Sequence, residues 1–242
     1  MNVLQEKFYR ALESRDHNLE GIGTLGEKSV HATLKYFLCE DHSCHEILME
    51  SFVADVVVDK TIYEIQSGQF NKLRSKILNY PLDYDLHIVY PIDESKTIIW
   101  LNELGEEVER RKSPKKGNIY DVVRELYKIR PVLKHRKLTI DCIFMDVVEY
   151  RLLDGWDVTK KKRATKLDRV PVKLNKIISL SEPQDYRQFL PPNLPQEFMS
   201  RDIKKLVKLR DRQVSALLLV LREMEIISVV GKQGNAYIYA VD

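Results

Sequence analysis

The sequence predicts a mixed α/β fold, a sheet flanked by helices, followed by a small C-terminal module of two helices and a hairpin. Three observations predict it. Residues 26–38 repeat apolar positions at a helical period; residues 47–65 hold two closely spaced stretches rich in Val, Ile and Tyr; and the pattern changes again after the Pro-rich segment 191–195.

In order, Val30, Leu34, Phe37 and Leu38 mark one face of a helix over 26–38, with Glu27 in its first turn. A polar loop follows, Glu40-Asp41-His42-Ser43, and then strands over 47–52, 54–58 and 61–65, the last two joined by a short turn at Asp59-Lys60. Leu73, Ile77 and Tyr80 define a basic helix that ends before Pro81. His87 to Tyr90 is expected as a short buried strand closed by Pro91, and Thr97 to Leu101 as another. From Glu106 the chain becomes basic, through Arg110-Arg111-Lys112 and Lys115-Lys116-Gly117, with a helix over 119–129 stopped by Pro131. Leu138 to Leu152 has strand-like stretches without a clean period, and Lys160 to Lys176 holds eight Lys or Arg against one Asp. Pro191-Pro192-Asn193-Leu194-Pro195 reads as a linker.

Beyond it, Ser200 is expected to cap a helix carrying Ile203, Leu206 and Val207, and Asp211 a second carrying Val214, Leu217, Leu218 and Leu221. Strands over 226–230 and 237–241, joined by Gly231-Lys232-Gln233-Gly234-Asn235, complete the sequence form of a winged helix-turn-helix. Lys204, Lys205, Lys208, Arg210, Arg212 and Lys232 favour nucleic acid as its partner; the plainer reading is a small helical module that binds protein. The domain organisation expected is a core over 1–105, a basic extension and linker over 106–195 that packs on it, and the winged module over 196–242.

Composition bounds the function classes. The chain has 242 residues, 44% hydrophobic and 31% charged, which describes a folded protein rather than a disordered one. A net charge of +3 makes any electrostatic argument depend on clustering rather than on the total. Three cysteines, Cys39, Cys44 and Cys142, argue against a disulfide framework and for a reducing compartment. No signal-peptide pattern opens the chain, and the longest apolar run is only Ala216 to Leu221, so a cytoplasmic location is expected.

The chemistry concentrates at residues 45–80. A hairpin turning at Asp59-Lys60 sets Val58 against Thr61 and therefore Asp55 opposite Glu64. Opposed residues have Cβ atoms roughly 5 Å apart, where like charges repel. Alternation places Asp55, Val57, Ile62, Glu64 and Gln66 on one face and Ala54, Val56, Val58, Tyr63 and Ile65 on the other. A divalent cation is the usual compensation for such a carboxylate pair, and hard oxygen donors suit Mg²⁺ or Mn²⁺ beside a phosphate. The plainer reading is an exposed polar hairpin.

With these residues and elements the chain resembles the PD-(D/E)xK nuclease superfamily, the restriction-endonuclease-like fold. The resemblance rests on Glu27 in the first helix, Asp55 within Ala54-Asp55-Val56-Val57, Glu64-Ile65-Gln66 in the next strand, and the helix and strand that follow. It implies that Asp55 and Glu64 ligate the metal, that the Ile65 carbonyl completes the site, and that Glu27 contributes from the helix. Gln66 stands where the family most often has Lys; an amide orients a water but brings no positive charge. Lys72 or Lys76 on the next helix would supply that charge, unless both lie on a solvated face. The chain also resembles an uncharacterised bacterial family, through the basic stretch around Ser113-Pro114, Trp156 with the basic run after it, and the terminal winged module.

The function expected is a metal-dependent DNA endonuclease, the alternative a catalytically inactive DNA-binding or regulatory protein. Candidate DNA contacts are Lys72, Lys76, Lys160, Lys161, Lys162, Arg163, Arg212 and Lys232, with duplex DNA as partner and a homodimer as a way to cut both strands. Cys39, His42, Cys44 and His45 lack the second ligand pair of a structural zinc site, and Cys142 in an apolar stretch reads as core. Gly21, Gly23 and Gly26 lack the strand and Lys-Ser/Thr ending of a phosphate loop, which argues against an ATPase.

Overall fold

Strand Thr61–Ile65 follows Val53–Val58 through the turn at Asp59-Lys60, whereas a parallel neighbour on its other side has to be reached through a crossover. The computed structural model, which describes residues 3–16, 28–49, 52–135, 137–155 and 164–242, shows how this is done. In chain order the elements are α1 (Val3–Asp16), α2 (Ser29–Leu38), β1 (His45–Leu48), β2 (Val53–Val58), β3 (Thr61–Ile65), α3 (Arg74–Asn79), β4 (Asp85–Leu101), β5 (Glu107–Lys112), α4 (Val123–Lys128), β6 (Leu138–Leu152), β7 (Thr165–Leu180), β8 (Glu197–Phe198), α5 (Ser200–Leu206), α6 (Asp211–Glu223), β9 (Ile227–Gln233) and β10 (Ala236–Val241). The main sheet is mixed and seven-stranded, in the order β1-β2-β3-β4-β6-β7 with β5 on β4. The fold is thus a mixed α/β sheet flanked by helices, as the sequence predicts.

The chain divides into two compact units. The first holds residues 1–59, 91–118 and 143–177. Within it α1, an element the sequence reading does not contain, packs on α2 through Phe8 and Phe37, whose rings meet edge to face at 5.8 Å. Asp168 on β7 receives the Ser29 backbone N–H at 3.3 Å and the Ser29 hydroxyl. It thereby serves the open N-terminus of α2, where a negative charge is favoured. β1 pairs antiparallel with β2, His45 against Val56 and Leu48 against Val53.

Charged residues also stitch the long strands of this unit. Glu149, 2% exposed, accepts from Lys96 at 2.9 Å and Arg151 at 2.6 Å. Lys96 also reaches Asp93 at 3.0 Å, and Asp93 takes Arg169 at 2.9 Å. Ser95 and Asn175 share Asp146 at 2.7 and 3.0 Å.

The second unit holds residues 60–90, 119–142 and 178–242. Here β3 runs parallel to the first part of β4, from Thr61 against Asp85 to Ile65 against Val89, with α3 in the crossover between them. Asp141, 9% exposed, is satisfied by His87 Nδ1 at 2.5 Å and the Ser179 hydroxyl. α6 packs against α4, and Arg130 pairs with Glu223 at 3.3 Å and Lys134 with Glu225 at 2.5 Å. β8 precedes α5, and with β9 and β10 after α6 it forms a three-stranded antiparallel sheet ordered β8-β10-β9.

Several expectations are corrected. The strand at His87 is not closed by Pro91: β4 continues to Leu101 as one strand. Its ladder with β3 ends at Val89, so the N–H that Pro91 lacks is not needed there. The stretch expected as a basic extension contributes β5 and β7 to the sheet. β7 shows no clean alternation because Asp168 and Arg169 are paired rather than solvated. β6 lacks a period because Leu138 to Met145 are buried without interruption, as in a strand covered on both faces. The caps shift by one residue: the Met199 N–H is held by Asp202 at 2.9 Å, and the Arg210 N–H by Gln213 at 3.1 Å. The closing hairpin turns at Gly234, which has a positive φ of 59°, so Lys232 lies on β9 instead of in the turn.

Burial pushes the Glu149 carboxyl up, but the bonds from Lys96 and Arg151 outweigh it and hold the group below its ordinary 4.5. Its contribution to stability is then complete above that unfolded value and is lost as pH falls through the lower folded one. Glu149→Gln is expected to cost about 3 kcal/mol at neutral pH and to flatten the acid-side decline. Urea unfolding at neutral and acid pH measures both; a variant with wild-type pH dependence would contradict the assignment.

Candidate functional site

An acid on the buried face of a strand has to be met by donors. Glu64 is 4% exposed, next along its face to the fully buried Ile62. Lys76 and Tyr80 stand four residues apart, a spacing that aligns them on one side of a helix. Lys76 belongs to α3 and Tyr80 is its C-terminal cap, with its N–H on the Lys76 carbonyl at 3.0 Å. The Lys76 ammonium contacts both Glu64 oxygens, at 2.9 and 3.0 Å, and the Tyr80 hydroxyl donates to Oε1. An isolated buried carboxylate is unfavourable by several kcal/mol, and a cation with a hydroxyl donor offsets that. The positive charge that the sequence argument sought from a divalent cation is, for Glu64, brought by a side chain.

Of the two helix lysines singled out, Lys76 meets Glu64, whereas Lys72 is exposed in the 3-10 turn ahead of α3. Gln66 follows β3. Its backbone N–H donates to the Val89 carbonyl at 2.9 Å, and its side-chain amide donates to the Gly68 carbonyl at 2.5 Å.

Asp55 lies in the first unit, half-buried on β2, with His31 Nε2 3.2 Å from its Oδ2. His31 is on α2, four residues after Glu27. The sequence carries a signal for it in the i, i+4 spacing from Glu27 to His31. Glu27, Trp156, Lys160, Lys161, Lys162 and Arg163 lie outside the described residues. Arg212 is exposed in the first turn of α6. Lys232 sits opposite Tyr237 across β9 and β10, its ammonium 4.7 Å from the ring centroid.

Among the described residues, no group of three or more His, Cys, Asp or Glu side chains is placed to hold a metal ion. Mg²⁺ retains several waters and commonly takes one or two protein carboxylates, so Asp55 and Glu64 are the donors of suitable type that the sequence argument supplies. The remaining nucleophiles are quiet. Burial pushes the Cys142 thiol up to about 12, and a hydrogen bond with Cys39 contributes most to pushing Cys44 up to about 11. Thiols so raised are poor nucleophiles at neutral pH. His45 opens β1 as expected, its ring bonded to the Cys39 carbonyl at 2.9 Å.

The fold and these residues define a mixed α/β protein with two half-buried or buried acids, each held by a basic side chain. The chain belongs to a family described as a domain of unknown function, DUF8091, whose model matches residues 28–181. That span contains His31, Asp55, Glu64, Gln66 and Lys76, and ends before α5 and α6. The chain is also similar to an uncharacterized protein of Treponema pallidum (strain Nichols), 26% identical over 189 residues that cover 75% of this chain and 73% of the relative. No solved structure matches it.

Lys76→Met strands the Glu64 charge and is expected to lower stability by about 3 kcal/mol, against about 1 kcal/mol for Tyr80→Phe, which removes one hydrogen bond. Adding Glu64→Gln to Lys76→Met should restore part of the loss. Chemical denaturation of these three variants and of Glu64→Gln alone checks the order, and an additive double variant would show that the two residues are not coupled.

Proposed function

We propose that the chain is a metal-dependent nuclease hydrolysing phosphodiester bonds in DNA, with the C-terminal helices and hairpin acting as a winged helix-turn-helix that holds the duplex. The observation that carries this reading is the Lys76 ammonium on both oxygens of Glu64. It supplies, from the following helix, the positive charge that Gln66 does not bring. The order of α2, β1 to β3, α3 and β4, with β4 parallel to β3, supports the same reading, since helix, three strands, helix and strand is the order on which the resemblance rests.

In this reading the donors to Mg²⁺ or Mn²⁺ are those the resemblance implies, the carboxylates of Asp55 and Glu64 and the Ile65 carbonyl. The ion, when bound, lowers the pKa of a water and stabilises charge on the phosphate. Lys76 balances the charge of the Glu64 carboxylate and brings a cation to the reaction site. The Gln66 amide orients water, and His31 fixes the Asp55 carboxylate. The exposed Arg212 and Lys232 contact the DNA backbone, two copies of the chain serve the two strands, and the protein acts in the cytoplasm.

One observation favours a second reading, a DNA-binding protein without chemistry: Glu64 already accepts from Lys76 and Tyr80, as a purely structural pair would. Incubation of supercoiled plasmid, linear duplex and single strands with Mg²⁺ or Mn²⁺ separates the two. The wild type is expected to nick or cut, chelation to abolish cleavage, and Asp55→Asn, Glu64→Gln or Lys76→Ala each to reduce it by roughly 100-fold or more. A wild type inert on every substrate ends the nuclease reading, and one that still shifts duplex DNA leaves the binding protein.

A further inference from the structure

The loop after β5 is sewn to β4 at two points within the first unit. The Ser113 N–H donates to the Lys96 carbonyl at 2.8 Å, and the Gly117 N–H to the Asp93 carbonyl at 2.9 Å. Gly117 approaches so closely that a Cβ there would stand 2.4 Å from the Asp93 carbonyl oxygen and 2.7 Å from Ile92 Cγ2. Both the strand backbone and a buried side chain would have to move, so only glycine fits. Pro114 fixes one φ inside the loop, and the Ser113 hydroxyl accepts the Lys115 N–H at 3.3 Å. Lys115 and Lys116 are therefore exposed on a segment whose ends are both held.

The surrounding charges sort into two groups. Arg110 is paired with Glu107 at 2.7 Å and Arg111 with Glu109 at 3.8 Å. Lys96, Arg151 and Arg169 are taken by Asp93 and Glu149. Lys112, Lys115 and Lys116 are exposed and have no acidic partner among the described residues. Arg169, 31% exposed, reaches the carboxylate of Asp93, whose carbonyl anchors Gly117, and so stands at the foot of the loop.

We infer that this loop, Ser113 to Gly117, with Lys112 at the end of β5, is a docking ridge for the sugar–phosphate backbone of a nucleic acid. It is separate from the C-terminal module, and the inference rests on the reading that the chain acts on DNA. Lysines are compact, flexible point charges suited to phosphates and poor at bidentate base recognition. The loop sequence Ser-Pro-Lys-Lys-Gly-Asn has no aromatic or large apolar residue. It thus lacks the anchors of a protein interface and the apolar side chains that would enter a membrane. Holding the backbone in place leaves only lysine side-chain freedom to be lost on binding.

Anisotropy of a labelled duplex of mixed sequence, measured in chelator across a range of NaCl, tests this without cleavage. Lys115→Ala/Lys116→Ala is expected to weaken binding about tenfold at low salt and to reduce the slope of log affinity against log salt by about 2, close to 0.9 per lost contact. Gly117→Ala keeps every charge and is expected to weaken binding as well, because the loop can no longer sit on β4. Thermal melts show whether each variant is folded; the paired lysine change touches only exposed side chains. The inference is overturned if the wild type does not bind the duplex, if the lysine variant keeps wild-type affinity and slope, or if polyglutamate or anionic vesicles bind as tightly as DNA. Binding that depends on the loop in a protein that never cleaves would sink the nuclease reading and leave the ridge standing.

Discussion

Taking a carboxylate out of water is favourable only when donors replace the water it loses, and much of this chain is arranged around that constraint. Glu64, Asp141 and Glu149 are each less than a tenth exposed, and each is met by at least one side chain from another element. Lys76 and Tyr80 reach Glu64, His87 and Ser179 reach Asp141, and Lys96 and Arg151 reach Glu149. Once an acid occupies such a position, the neighbouring strand or helix cannot slide without stranding a charge. Hydrophobic burial supplies the gross stabilisation, whereas these pairs fix which residues face each other.

The same constraint ties fold to function. Structural pairs and catalytic pairs are made from the same residue types, and the difference lies in whether the group can exchange its partner. Glu64 with Lys76 is open to either role, because its lysine comes from a short helix and is partly exposed. Glu149 with Lys96 and Arg151 is not: it lies within an array of paired charges on long strands and reads as architecture. The basic stretches divide likewise. Arg110, Arg111 and Arg169 are spent on carboxylates, while Lys112, Lys115 and Lys116 stay available.

Some of this was legible in the residues. The hairpin strands, the turn at Asp59, the helix after Gln66 and the two C-terminal helices follow from local propensity and periodicity, which act over a few residues. Lys76 was within reach of the sequence argument because it stands on the helix that the Glu64 strand leads into. Tyr80 stands in the sequence only as one of three residues marking a helix, and its hydroxyl role depends on where Glu64 sits. β7 was not legible: its run of charges matches a solvated loop until Asp93 and Ser29 are brought against Arg169 and Asp168. The continuation of β4 through Pro91 was hidden as well, because the cost of proline depends on whether a neighbouring strand needs its missing N–H.

By itself, then, the sequence determined the element types around the Asp55 and Glu64 hairpin and the helical C-terminal segment. Only the tertiary structure decided which cation meets which acid, that the basic stretch is largely strand, and that Gly117 must be glycine. The reason is one of range. Periodicity and turn chemistry are set by neighbours along the chain, whereas charge compensation and close backbone approach are set by groups up to more than a hundred residues away, as Ser29 and Asp168 are.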